Sequence, residues 1–149
     1  MENIIAMLRQ YLANSVVFSN VAHGFHWNVE GPLFTEYHEL FGEIYEDVDG
    51  TIDTIAEWMR IFGAKAPYTL QQFIADQNFG EIFTESNSPI TMSRMLLDMN
   101  NKIIADVKIM FDDATAQKEQ GLANFLADRQ TAHEKWGWFL RSILTPTVN

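Results

Sequence analysis

HWNVEGPLFTEYHELFGEIYEDVDGTIDTIAE, residues 26–57, decides both how this chain folds and where its chemistry lies. Gly31-Pro32 interrupts the backbone, and from about Thr35 apolar residues return at helical spacing, among them Phe41, Ile44, Val48, Ile55 and Met59. The pattern runs to Phe62, and Gly63 is a good stop. Four side chains of the metal-binding kind sit in this stretch: His26, His38, Asp53 and Glu57. Asp53 and Glu57 are four apart and so project from one helix face, one turn from each other. His38 precedes Asp53 by fifteen residues of the same helix, roughly 22 Å at about 1.5 Å per residue. Ligand atoms must lie about 2.0–2.6 Å from an ion, so His38 and Asp53 of one chain cannot share one. A second copy of the helix, antiparallel across a two-fold axis near Glu46 and Asp47, would set His38 of one chain against Asp53 and Glu57 of the other. The candidate centre is a subunit-interface site.

Outward from that stretch the chain reads as helix throughout, with no strand alternation. A first helix is expected over about Asn3–Asn28, a third over about Thr91–Lys118 and a last over about Leu122–Leu144, stopped by Pro146. The turns after the first and third are short, so those pairs should be antiparallel neighbours. Between Gly63 and Ile90 lies a long connection with one short helical piece, Thr69–Ala75. The expected fold is all-α, a four-helix bundle with a long crossover carrying a short helix between helices 2 and 3, in a single domain over residues 1–149. A long middle crossover between two antiparallel pairs is the ferritin-like plan.

Composition sets the functional bounds. The 149 residues are 47% apolar with no cysteine, which excludes a disulfide framework and a thiolate zinc site. No apolar run approaches the length of a membrane span, no secretory signal is evident, and the expected compartment is the cytoplasm. The net charge of −10 disfavours direct binding to phosphate backbones and favours cations. Along the second helix Glu39, Glu43, Glu46, Asp53 and Glu57 make an acidic stripe. Packed against its symmetry mate, such a stripe repels unless cations intervene. Gly42 and Gly50, symmetric about Glu46, each cost about 1 kcal/mol inside a helix relative to alanine, and a close helix crossing would account for them. None of the four histidines has Asp or Glu three residues before it, which argues against a ferritin or rubrerythrin centre built within one bundle from Glu-x-x-His pairs.

The segment HWNVEGPLFTEYH followed by DTIAE resembles the Dps family of mini-ferritins, and the likeness extends through the Gly63 stop to the terminal helix with Trp138. The resemblance implies a hollow homo-dodecamer with ferroxidase sites at its two-fold interfaces. His26 and His38 would serve from one subunit, with Asp53 and Glu57 from its mate and Glu57 bridging two irons. Fe(II) would be oxidised by hydrogen peroxide or oxygen and stored as ferric mineral, with zinc as a competitor for the same ligands. Glu39 and Glu43 would nucleate mineral on the cavity side, and for Trp27 a radical-quenching role stands beside plain packing.

This chain also departs from the family. Gly42 stands where relatives commonly place an acidic residue, leaving the second iron position short of a ligand that an aspartate there would supply. Trp58 replaces an arginine, and Asn124 falls where relatives often have a pore aspartate, with Asp128 a weak substitute. His23 reads as an outer group or a packed side chain, and His133 as an ordinary surface residue. A weakened metal-sequestering cage and a DNA-protecting protein are the alternatives, although lysine-rich tails are missing: Met1–Arg9 has one basic residue and Thr145–Asn149 has none.

Overall fold

The computed structural model describes all 149 residues. It contains five helices and no strand: α1 (Glu2–Asn28), α2 (Phe34–Ile61), α3 (Leu70–Asp76), α4 (Pro89–Ala116) and α5 (Gln120–Leu144). Expected helix positions hold to within a few residues, and the differences have local causes. α4 begins at Pro89 rather than Thr91 because the Ser88 hydroxyl accepts from the Thr91 amide and proline occupies the first turn. Thr69 and Gln72 form a reciprocal capping box that starts α3. Gly63, at φ +85°, takes the left-handed conformation that ends α2. Before α2 it is Leu33, a residue with a Cβ, that turns at φ +64°, at a cost of about 1–2 kcal/mol.

α1 packs along α2 and α4 along α5, α1 also meets α4, and α3 lies against α1. This is the ferritin-like four-helix bundle with its long crossover. Arg9 of α1 holds Asp76 at 2.7 Å, and Asn14 exchanges hydrogen bonds of 2.9 and 3.0 Å with Asn78, so α1 pins the crossover at two points. The core is filled by one apolar stripe from each long helix, represented by Leu8 and Phe18, Phe41 and Ile44, Leu96 and Ile103, and Leu122 and Leu126, all fully buried. The opposite face of α2 leaves Glu39, Glu43, Glu46, Asp53 and Glu57 exposed. No helix is long and apolar enough to cross a membrane.

His133 is not the surface residue its neighbours in sequence imply; it is 1% exposed. Its Nδ1 donates to Asn100 Oδ1 at 2.8 Å, and Asn100 Nδ2 donates back to the His133 carbonyl at 2.8 Å. Nε2 then faces Arg129 Nη2 at 3.5 Å as an acceptor. Arg129 in turn grips both oxygens of Asp47, to which Trp136 Nε1 also donates at 2.8 Å. Burial, seconded by the Arg129 charge, pushes the His133 imidazole down to about 3, so it is neutral at any physiological pH. For Asp47 burial works upward, but the bonds from Arg129 and Trp136 outweigh it and hold the carboxyl below its ordinary value. A polar network thus crosses α2, α4 and α5 inside the bundle, with Arg129 Nε its one buried donor left without a partner.

Candidate metal centre

His26 lies in the last turn of α1 and His38 in the first turns of α2, on either side of the Gly31 reversal. Their rings stack with centroids 3.8 Å apart and planes 15° from parallel. Each is fixed by the other's backbone: His26 Nδ1 donates to the His38 carbonyl at 2.5 Å, and His38 Nδ1 donates to the His26 carbonyl at 2.7 Å. A carbonyl only accepts, so both Nδ1 atoms carry their protons, and in the neutral form of each ring the lone pair is left on Nε2. The second bond also satisfies one of the carbonyls that a helix C-terminus leaves open. A backbone-anchored Nδ1 with a free Nε2 is the arrangement that orients histidine toward a metal.

Stacking limits what the pair can hold. A nitrogen lone pair lies in its ring plane and reaches an ion about 2.0–2.1 Å away. With ring centroids 3.8 Å apart and planes only 15° from parallel, the two lone pairs lie in nearly parallel planes and do not converge on one point. The pair is thus suited to two separate ions rather than to one shared ion.

Farther along α2, Asp53 and Glu57 are both exposed and share one face. The hydrogen bond with Asp53, and then its charge, hold the Glu57 carboxyl above its ordinary value. Two carboxylates crowded on an open surface form an electrostatic seat for a cation. Within one chain the histidine pair and the carboxylate pair stay apart, and no group of three or more His, Asp or Glu side chains is arranged to hold an ion.

The remaining residues fall into place around these pairs. Trp27 is 63% exposed and lies against His23, ring centroids 4.1 Å apart. His23 is packed rather than free, stacked on Tyr45 at 3.7 Å with planes 10° apart. Glu39 and Glu43 belong to the exposed stripe. Trp58 packs on Phe62 and over Gly121 of α5, where an added Cβ would come within 3.0 Å of its ring. Asn124 and Asp128 are exposed one turn apart on α5. Gly42 differs most from expectation. A Cβ built there would lie 2.8 Å from His26 Nδ1 and 3.0 Å from Cε1, so the space of the missing side chain is occupied by His26 of the same chain. An aspartate at this position would not simply add a ligand; it would displace one.

Residues 5–147 match the family described as Ferritin-like domain. The chain is 29% identical over 141 residues to the "DNA protection during starvation protein" of Brevibacillus brevis, covering 95% of this chain and 94% of that protein. A crystal structure of a Dps protein from Bacillus brevis superposes with a TM-score of 0.90 at 29% identity, over 97% of this chain and 96% of that one. The DPS protein from Vibrio cholerae O1, described as a member of a broad superfamily of ferritin-like diiron-carboxylate proteins, gives 0.91 at 26% identity, over 97% and 90%. With its bundle, its crossover and these likenesses over nearly its whole length, the chain belongs to the ferritin-like domain family, in the Dps branch of mini-ferritins.

Proposed function

We propose that this protein is a ferroxidase and iron store. Fe(II) is oxidised by hydrogen peroxide or oxygen at di-iron sites between subunits, and the ferric product is kept as mineral in a dodecameric cage in the cytoplasm. The observation that carries the reading is the division of the ligands: a histidine pair with both Nε2 atoms free, and a carboxylate pair on α2 that its own chain cannot bring to them. Across a two-fold axis His26 and His38 of one subunit meet Asp53 and Glu57 of the next, with Glu57 bridging the two ions. Imidazole and carboxylate together suit Fe(II), and zinc competes for the same set.

The chemistry balances with two ions per site. Two Fe(II) each give one electron to one hydrogen peroxide; with two protons its O–O bond breaks to give two waters and two Fe(III). Taking both electrons in one place leaves no hydroxyl radical, which protects nucleic acid without contact. Glu39 and Glu43, exposed on the acidic stripe, gather the ferric product, and Trp27 beside His26 is placed to absorb a stray one-electron oxidation. The second reading is a metal-sequestering cage with little turnover, favoured by the His26 ring standing where a carboxylate on residue 42 would be.

The test is anaerobic Fe(II) titration followed by peroxide or oxygen, with rate and stoichiometry read separately. Two Fe(II) consumed per peroxide, faster than in buffer, is the expected result. Tight binding without accelerated oxidation would favour sequestration, and neither would refute both.

A further inference from the structure

We propose that Gly42 is a positioning residue of the interface site: it is the seat of the His26 imidazole, and its missing side chain sets the ring's tautomer and direction. The proposal rests on the interface-site reading above. Three observations converge on it. Glycine in mid-helix costs about 1 kcal/mol relative to alanine, yet α2 runs uninterrupted through Gly42, whose φ is not positive, so no turn requires it. The space a Cβ would fill is taken by Nδ1 and Cε1 of His26, at 2.8 and 3.0 Å. That same Nδ1 donates to the His38 carbonyl, one helical turn before Gly42 on α2.

The seat and the hydrogen bond work as one device. The ring presents its Nδ1–Cε1 edge to the α2 backbone at Gly42 and stacks on His38, with its Nδ1 proton committed to a carbonyl. A methyl group at residue 42 meets the ring at its anchored edge, not at the far end of a flexible chain. The ring must shift, breaking either the stack or the Nδ1 bond. Losing that bond frees the tautomer, so Nε2 holds a proton for part of the time and is not then a ligand. His38 keeps its own bond to the His26 carbonyl, so its tautomer survives.

Gly24 supplies the control. It is also helical, on α1, with nothing within 4 Å of an added Cβ. Gly24→Ala and Gly42→Ala make the same chemical change with the same gain in helix propensity, so a difference between them reports the seat.

The experiment combines nitrogen-15 histidine NMR of the metal-free assembled protein with anaerobic Co(II) titration followed by its visible bands. In the unmodified protein His26 and His38 should both show a protonated Nδ1 and a bare Nε2. Gly42→Ala should shift His26 alone toward a tautomer mixture and weaken Co(II) binding at least tenfold, while Gly24→Ala changes neither. His26 with a protonated Nε2 in the unmodified protein would overturn the proposal even if Gly42→Ala did not fold, as would a Gly42→Ala protein that binds Co(II) like its parent. Absence of Co(II) binding in the unmodified protein, with both tautomers as described, would instead overturn the interface site on which the proposal rests.

Discussion

Arg129 of α5 and Asp47 of α2, 82 positions apart, are joined by two parallel hydrogen bonds of 3.0 and 2.9 Å, with the Arg129 side chain only 8% exposed. A guanidinium held this far from water depends on its one carboxylate. Asp47→Ala should cost about 3 kcal/mol, the scale for removing one partner of a buried pair, and Asp47→Asn less. Urea unfolding at fixed protein concentration is the check, and a shift below about 0.5 kcal/mol would show that water replaces the carboxylate easily. Because the native pair holds the Asp47 carboxyl below its ordinary value of 3.8, its contribution is fully present above that pH. It is lost as pH falls through the depressed native value.

His133 makes a different acid dependence. The ordinary imidazole takes up its proton near 6.5, and in the fold this one does so only near 3. Between those values the unfolded chain binds a proton that the native chain refuses, so stability falls as pH falls. The full loss is on the order of 5 kcal/mol at 1.36 kcal/mol per unit. His133→Gln should be less stable at pH 7 but lose less on acidification, its stability profile shallower by about one proton between pH 6 and 4. Profiles parallel to the parent's would mean that His133 does not refuse its proton in the native state.

DNA binding should be absent at neutral pH and moderate salt without divalent metal. The chain carries 10 Lys and Arg against 20 Asp and Glu, and assembly multiplies the imbalance. Retardation of a linear duplex at sub-micromolar protein in a mobility-shift assay would contradict this, and with it the view that any protection of nucleic acid is chemical.

The fold was legible because its signals are local. Gly31-Pro32 and Gly63 punctuate α1 and α2 within a few residues of where they end, and the apolar periodicity of α2 names the buried residues Phe41, Ile44 and Val48. The pairing of His26 with His38 rests on the family resemblance and is made by the reversal between α1 and α2, whereas the carboxylate pair follows from helical spacing. The environment of His133 does not: its burial is made by Asn100 and Arg129, on another helix and one turn away. In the run HEKWGW nothing distinguishes it from a solvent-facing histidine. Gly42 was legible as an anomaly, a helix-weakening residue without a turn. Its meaning needed the ring that fills it, supplied by α1 from sixteen residues earlier. Trp58 likewise finds its partner in Gly121, the second residue of α5.

The central claim is that each active centre is built from two chains, and subunit mixing tests it most directly. His38→Ala and Asp53→Ala chains, each inactive alone, are reassembled together and mixed cages are confirmed by mass. A dimer of one chain of each kind holds one centre missing both ligands and one intact, so Fe(II) oxidation should return to roughly a quarter of the parent rate under random pairing. Mixed cages as inactive as either parent would contradict the account, because His38 and Asp53 would then have to act within the same chain.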